Sequence, residues 1–320
     1  MRAAQVKEFG GPEVLVPVDL PDPVPGPGEV VIDVAYADTI FVETQVRSGW
    51  GRDYFPVTPP YVPGGGVSGT VTAVGAEVPE EWVGRRVTSF VQGSYASRAV
   101  ASVSALTVVP DELDLLAAAA LVHDGVTAAG LIELTGVAAG DRVLILGASG
   151  GMGTLLVQLG VGRGAHVVAL ARGAEKLALV RELGAGSAVD VSADDWPERA
   201  REALGGEADV VLDGVGGELG AAAFALTADG GRFSAHGAPS GGFAEIDGGA
   251  AADRGIGLFG IGDVQFASGD RLRLTSYALE EAAAGRLAAV VGKVVPLERA
   301  GEAHAAIEGR AAVGKVVLKM

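Results

Sequence analysis

The chain has 320 residues, and 24 Lys plus Arg against 40 Asp plus Glu give a net charge of −16. A protein this acidic lacks the basic face that nucleic acid or an anionic membrane needs, so neither is expected as its main partner. Cysteine is absent and histidine numbers 4, which removes disulfides, thiolate nucleophiles, iron–sulfur clusters and thiolate zinc sites together.

Hydrophobic residues make up 49% and charged residues 20%, values of a globular chain rather than a disordered one. A chain of this length usually divides into more than one core. The opening residues MRAAQVKEFGG carry charge throughout and offer no apolar signal-peptide core. The uncharged stretch from Val143 to Gly162 has its glycines in the middle, so it reads as strand, turn and helix rather than a membrane span. A cytoplasmic protein is expected.

Up to about residue 110 short β-type runs dominate: Val14–Val18, Val30–Ala35, Gly69–Val74 and Arg86–Phe90. Proline and glycine punctuate them, as in PDPVPGPGE at 21–29. Asp111 then reads as the N-cap of an alanine-rich helix to about Val122. A second helix runs to about Leu134 and closes at Gly136. From Asp141 strands and helices alternate. The strand runs are Arg142–Ala148, His166–Ala171, Ala188–Val191, Ala208–Asp213 and Gly231–His236. The helical stretches between them are Gly151–Gly162, Ala174–Leu183, Pro197–Leu204 and Leu219–Leu226. Near-continuous Val, Ile, Leu and Ala in the strands indicates a parallel sheet covered on both faces, that is, a doubly wound α/β fold. The segment from Arg271 onward breaks the alternation. Its helix (Arg271–Ala284) and closing strand (Gly314–Lys319) are expected to return to the first lobe.

Residues 142–153 read RVLILGASGGMG. An apolar strand enters a glycine-rich turn, and a helix leaves it. A pyrophosphate approaching the N–H groups at a helix N-terminus needs a backbone without side chains in the way. Ser149, Gly150, Gly151, Met152 and Gly153 are the expected cradle; a tight structural turn is the plain alternative. NAD-specific folds place Asp or Glu near the end of the second strand. Here that strand is followed by Arg172, Gly173, Ala174, Glu175 and Lys176. Arg172 would grip a 2′-phosphate as a planar fork and Lys176 as a point charge, so NADPH is the expected cofactor. The loops after the fourth and fifth strands, with Asp213, Gly214, Val215, His236 and Gly237, fall at the carboxyl edge of the sheet, where open α/β folds bind ligands.

Several further blocks accompany this turn: FVETQVRSG (41–49), PPYVPGGGVSGTVTAVG (59–75), EKLALVRELGA (175–185), DVVLDGVGG (209–217), GGRFSAHGAPSGG (230–242) and PLERAGEAHAAIEGRAAVGKVVL (296–318). Together they resemble the zinc-free quinone oxidoreductase (zeta-crystallin-like) branch of the medium-chain dehydrogenase/reductase superfamily. The resemblance implies a GroES-like β-rich catalytic domain (1–120 and 263–320) around a Rossmann domain (121–262). It implies hydride transfer from NADPH to a quinone or an α,β-unsaturated carbonyl. It also implies a homodimer, with GIGLFGIG (255–262) as the segment that would pair across subunits. Thr127 matches a position close to the cofactor.

Zinc-dependent relatives carry Cys where this chain has Ile40, and the histidine of a PGHE pattern falls on Gly65. No metal site is therefore expected. Tyr61 matches a tyrosine before the PG turn and is the candidate catalytic hydroxyl, although a phenol with pKa about 10 is a sluggish acid. Ile40 and Phe41 stand where relatives often carry Asn-Pro. With Trp50 and Tyr54 they are the expected pocket wall. Val191 replaces a tyrosine that stacks on the cofactor in some relatives. Glu43 reads as a structural acid paired with Arg47 one turn on, and His304 as a packing or capping group. His123 and His166 show no constellation. Two other functions fit the same motifs: a redox sensor or crystallin-like protein that binds NADPH without turnover, and a carrier-linked enoyl reductase, which the acidic charge does not favour.

Overall fold

The structure, a computed structural model, describes residues 1–310 and 312–320. Ala311, inside the C-terminal block, lies outside the described residues. The chain begins with β1 (Arg2–Val6), β2 (Leu15–Asp19), β3 (Glu29–Asp38) and α1 (Phe41–Ser48). It continues through β4 (Gly66–Val74), β5 (Arg86–Phe90), β6 (Arg98–Ser102), β7 (Leu106–Val108), α2 (Leu115–Leu121) and α3 (Asp124–Leu134). Next come β8 (Arg142–Leu146), α4 (Gly151–Gly162), β9 (His166–Ala171), α5 (Ala174–Glu182), β10 (Ser187–Asp190) and α6 (Trp196–Leu204). They are followed by β11 (Ala208–Asp213), α7 (Gly217–Phe224), β12 (Thr227–Ala235), α8 (Gly248–Asp253) and β13 (Gly257–Gly260). The last elements are α9 (Ser268–Ala283), β14 (Val291–Pro296), α10 (Ala300–Glu308) and β15 (Lys315–Lys319). Among the described residues no single helix is long and apolar enough to cross a membrane.

The chain divides into two compact units. The first holds residues 1–126, 268–285 and 289–320, and the second holds 127–267 and 286–288. The border between the units falls inside α3, and the C-terminal return to the first unit begins at residue 268.

In the first unit, among the described residues, the strands run β14-β15-β3-β4-β5-β7, with β6 also paired to β3 and a separate β1–β2 pair. The closing strand β15 pairs antiparallel with β3, with Val317 opposite Asp38. That register carries Lys315, two residues earlier on β15, to the end of β3. The core of this lobe is Val30, Ile32, Val34, Val67, Val71 and Val87, β-branched side chains that pack well on a pleated surface.

The second unit is a six-stranded sheet of order β10-β9-β8-β11-β12-β13, parallel throughout. This is the doubly wound order with its switch point between β8 and β11. Val143, Leu144, Ile145 and Leu146 are all buried, because helices cover both faces of the sheet. Phe233 is fully buried and meets Phe224 edge to face at 5.4 Å between ring centroids.

Three local expectations need correction. The helix after residue 110 starts at Leu115, and its N-cap is Asp114, whose carboxylate accepts the Ala117 N–H at 2.7 Å; Asp111 lies in the preceding turn. β1 and β6, short and weakly alternating, were not read as strands. Between β12 and β13, where the sequence pattern indicates no helix, a short one forms: α8, capped by Asp247.

Removing the buried ring tests the sheet core. Phe233→Ala is expected to cost about 3–5 kcal/mol, seen as a lower urea midpoint; a loss below about 1 kcal/mol would show that Phe233 is not a core residue.

Candidate active site

In the second unit β8 ends at Leu146 and the chain turns through Gly147, which has φ +70°. Gly150 caps α4 in an extended conformation, and its N–H donates to the Gly147 carbonyl at 3.0 Å. A Cβ on Gly153 would lie 2.2 Å from the Gly147 oxygen and 2.7 Å from the Ala148 Cα. The first turn of α4 therefore packs directly on the β8 backbone, and only glycine fits. Gly151 and Met152 are half-buried in that turn, and Ser149 is buried. The free N–H groups at the start of α4 point out of the turn, as a phosphate requires.

The loops after β11 and β12 are held by Asp213. Its Oδ1 accepts the N–H groups of Val215 (2.9 Å) and Gly216 (2.8 Å), and its backbone carbonyl accepts those of His236 and Gly237. A Cβ on Gly237 would come within 2.2 Å of the Gly214 carbonyl oxygen. The two loops thus touch backbone to backbone. Burial pushes the Asp213 carboxyl above its ordinary range, even though two N–H donors favour the ionised form. His236 is 6% exposed, and burial lowers it to about 4. Its Nδ1 contacts the Ser234 hydroxyl at 3.2 Å, and its Nε2 has no partner among the described residues. His236 is therefore neutral at physiological pH. Thr127 is half-buried in α3.

At the end of β9, Arg172 is exposed and Lys176 is half-buried one turn into α5. An acid does stand beside this turn, contributed by β10 rather than β9. The Asp190 carboxylate accepts the Gly173 N–H at 3.2 Å and the Ser192 N–H at 2.9 Å. The sequence reading missed it, because β10 lies beside β9 only in the folded sheet.

In the first unit a polar network threads between α1, α10 and the sheet. Arg47 is 2% exposed. It donates to the Gly10 carbonyl, to His304 Nδ1 at 3.2 Å and to Glu308. Arginine can only donate, so His304 Nδ1 must accept, and its Nε2–H donates to the Tyr95 oxygen at 3.0 Å. The Tyr95 hydroxyl in turn donates to Glu43 Oε2 at 2.6 Å. The same carboxylate oxygen accepts the Ile40 N–H at 3.0 Å and so caps α1. The expected Glu43–Arg47 pair is therefore not formed: each partner is drawn to a different element. Burial, and then the Arg47 charge, lower His304 to about 3. Burial and the nearby Asp38 charge push Glu43 up to about 7.

Next to this network lies a second group. Asp38 is fully buried at the end of β3. Its Oδ2 meets His123 Nδ1 at 2.7 Å and Lys315 Nζ at 3.5 Å. Lys315, 4% exposed, also meets Asp124 at 3.0 Å. Asp38 Oδ1 has no partner among the described residues. Burial alone would raise Asp38, but the two cations outweigh it and hold the carboxyl below its usual range. Burial likewise opposes the charged form of His123, yet the Asp38 charge prevails and raises it above 6.5. A side chain at residue 65 would strike the imidazole, with a Cβ 2.9 Å from His123 Cε1, and one at residue 66 would fall 2.8 Å from Asp38 Oδ1.

The substrate-side expectations fare unevenly. Ile40 is the N-cap of α1 and Phe41 its first residue. Trp50 and Tyr54 do not form an enclosed wall. They are 42% and 81% exposed, since α1 ends in a left-handed Gly49 that turns the chain outward, and Trp50 packs only loosely on Phe55 at 6.5 Å. The Tyr61 hydroxyl is buried without a partner among the described residues. Burial pushes it up to about 12 against the opposing Arg47 charge, with a smaller upward push from Glu43, too high for a proton donor at neutral pH. Among the described residues no group of three or more His, Cys, Asp or Glu could hold a metal ion.

Comparisons with known proteins place the chain. A zinc-binding dehydrogenase domain matches residues 151–262, and an alcohol dehydrogenase GroES-like domain matches residues 26–111. Human quinone oxidoreductase is 32% identical, over 99% of this chain and 97% of its own length. The chain belongs to the quinone oxidoreductase branch of the medium-chain dehydrogenase/reductase superfamily. As a member of that family it is an oxidoreductase. A 2-haloacrylate reductase from a Burkholderia species is 31% identical over 99% of this chain and 98% of its own length. A mycobacterial structure solved with NADPH is 34% identical, with a TM-score of 0.92 and full coverage of both chains. The Rossmann and GroES-like fold expected of the family is the one observed.

Glu43 offers a direct test of the buried network in this oxidoreductase. Its folded-state value lies above its ordinary 4.5, so the folded state holds the proton more tightly than the unfolded chain does. Its contribution favours folding at low pH and is lost as pH rises from 4.5 through about 7. Glu43→Gln is therefore expected to become increasingly stabilising relative to the parent over that window in urea unfolding. A difference that stays constant with pH would contradict the assignment.

Proposed function

We propose that this oxidoreductase passes a hydride from NADPH to a quinone or an α,β-unsaturated carbonyl and uses no metal to do so. The observation that carries the reading is the β8–α4 turn, where close backbone packing leaves bare N–H groups at a helix N-terminus. Ser149, Gly150, Gly151, Met152 and Gly153 would hold the pyrophosphate there, and Asp213, Gly214, Val215, His236, Gly237 and Thr127 the ribose and nicotinamide end. The cofactor would supply the hydride. The protein's part is to orient it and exclude water.

Arg172 would hold the 2′-phosphate, with Lys176 beside it. Asp190, held ionised by the two backbone N–H groups it accepts, is one anion against these two cations. Charge-assisted hydrogen bonds of about 1.5–3 kcal/mol each correspond to roughly a hundredfold preference for NADPH over NADH. The mycobacterial relative solved with NADPH supports the same choice.

On the acceptor side, Ile40 and Gly65 offer no ligand for a Lewis acid, so the acceptor must need little activation. A quinone or enone meets that condition because conjugation spreads the incoming charge. The quinone oxidoreductase and 2-haloacrylate reductase relatives support this class. The buried, unpartnered Tyr61 hydroxyl is suited to donate a hydrogen bond to the acceptor oxygen rather than to give up its proton. Ile40 and Phe41 would provide apolar contact for the acceptor.

The outer edge of β13 is unpaired within the described chain, and Leu258 and Ile261 are 42% and 43% exposed. This supports pairing with a second copy. Sedimentation is expected to give twice the chain mass; a monomer at micromolar concentration would contradict it.

The cofactor assignment is tested by Arg172→Ala combined with Lys176→Ala. The Kd for NADPH, read from nicotinamide fluorescence, is expected to rise roughly a hundredfold while that for NADH hardly changes. Equal losses for both would refute it. With 1,4-benzoquinone and an enone as acceptors, oxidation of NADPH is expected to persist in EDTA. Activity abolished by EDTA and restored by zinc would sink the metal-free reading. Tight NADPH binding without turnover would turn the reading to a cofactor-binding protein.

A further inference from the structure

The Asp38–His123 pair takes no part in the function proposed above, and the physical chemistry of its position asks for one. Asp38 is an anion with no solvent contact, and such burial is costly unless the charge is paired. Lys315, itself buried between Asp38 and Asp124, would already give one cation for that anion. Yet the shorter contact is to His123, at 2.7 Å against 3.5 Å. Asp38 accepts from Nδ1, which fixes the ring orientation and leaves Nε2 pointing away from the carboxylate. Nε2 has no hydrogen-bond partner among the described residues and, unlike His236 Nε2, is not sealed from solvent. The imidazole keeps 21% of its surface exposed.

Residues 65 and 66 are both glycine, and any side chain on either would run into the imidazole or its carboxylate partner. Phe90 closes one side, edge to face at 4.5 Å between ring centroids, and the Arg271 guanidinium lies over the Phe90 ring at 5.4 Å. The result is an oriented, partly exposed imidazole N–H set against the backbone of two glycines and the Phe90 ring on the first unit.

We propose that His123, oriented by Asp38, is the proton donor to the acceptor oxygen. This rests on the reductase reading above. When a hydride reaches the β-carbon of an enone, the C=C π bond breaks and its electron pair moves through the conjugated system to the carbonyl oxygen. The His123 Nε2–H bond then breaks and an O–H bond forms, leaving a neutral imidazole and an enol that tautomerises to the ketone. A quinone is reduced by the same count, one hydride and one proton giving the hydroquinone. Solvent returns the proton to His123. Tyr61, pushed up to about 12, can offer a hydrogen bond but not the proton.

The charge state agrees with this role. The groups facing His123 are Asp38 from β3, Lys315 from β15, Glu43 from α1 and, through Lys315, Asp124 from α3; Arg271 from α9 lies over the neighbouring Phe90 ring. Burial and Lys315 oppose the imidazolium, while Asp38 and Glu43 favour it and prevail. The ring therefore stays protonated above its ordinary value. The donor is lost as pH rises through its raised value, so activity falls on the alkaline side.

Two measurements on the full-length protein test the proposal. The first is kcat/KM for 1,4-benzoquinone against pH. His123→Gln is expected to lower it about 100-fold and to remove the alkaline limb, as loss of a general acid does, with the Kd for NADPH unchanged as proof of folding. Asp38→Asn, which keeps the ring but withdraws the charge, is expected to move the limb to lower pH. The second measurement needs no cofactor. 4-Nitrophenol is titrated in the presence of the protein, and its absorbance is expected to show the phenolate favoured by the parent and not by His123→Gln. Turnover at the parental rate and pH profile in His123→Gln, or an equal phenolate shift in both proteins, overturns the assignment. Absence of turnover in the parent overturns the reductase reading instead, and a phenolate shift lost in His123→Gln then still marks His123 as an oxyanion donor.

Discussion

The backbone of α4 can lie against the end of β8 only because residue 153 has no side chain. A Cβ there would sit 2.2 Å from the Gly147 carbonyl oxygen, a distance that no rotamer change relieves because both sides of the clash are backbone. This contact sets the angle at which the helix leaves the sheet and hence where its unpaired N–H groups point. The position of the turn next to the β8–β11 switch point then brings the loops of Asp213 and His236 to the same edge. Asp213 spends one carboxylate oxygen and its carbonyl on holding those loops together. The groups gathered at this edge are thus mostly backbone, and the Asp213 side chain nearby fixes their geometry.

The first unit solves a different problem. It buries Asp38, Lys315, Arg47 and Glu43 in a lobe otherwise built from valine and alanine. Buried charges add little net stability, but removing one partner of a pair is costly. Here every such charge is drawn to a partner on another element: Arg47 on α1 to α10, Lys315 on β15 to β3 and α3, Glu43 on α1 to Tyr95. These contacts tie the C-terminal segment to the N-terminal strands. His304 and His123 show how neighbours decide the same ionisation differently. His304 is buried beside a guanidinium and is pushed down to about 3, whereas His123 is buried beside a carboxylate and is pushed above its ordinary value.

Much of the second unit was legible in the residues. Continuous apolar runs marked β9 and β11, and glycine after an apolar strand marked the start of α4, because both signals are local. The same holds for the missing acid at the end of β9. Features that depend on distant partners were not legible. Asp38 and His123 are 85 residues apart and meet only because β3 ends beside the α2–α3 junction, and Asp190 reaches Gly173 only across two sheet strands. Local rules also misled. The i,i+4 spacing suggested a Glu43–Arg47 pair, but Tyr95 and His304 compete more strongly for both. The clustering of Trp50 and Tyr54 suggested an apolar wall, whereas the left-handed Gly49 turns the loop outward. Asp111 has the right chemistry for a cap, yet Asp114 stands at the residue where the helical N–H groups first need one.

The central claim is that the bare β8–α4 turn holds a phosphorylated nicotinamide dinucleotide. Calorimetric titration of the purified chain with NADPH measures this most directly. Saturable uptake of one molecule per chain, with clearly weaker heat from NADH under the same conditions, is the expected result. A titration that shows no uptake of either dinucleotide at millimolar concentration would contradict the account at its base.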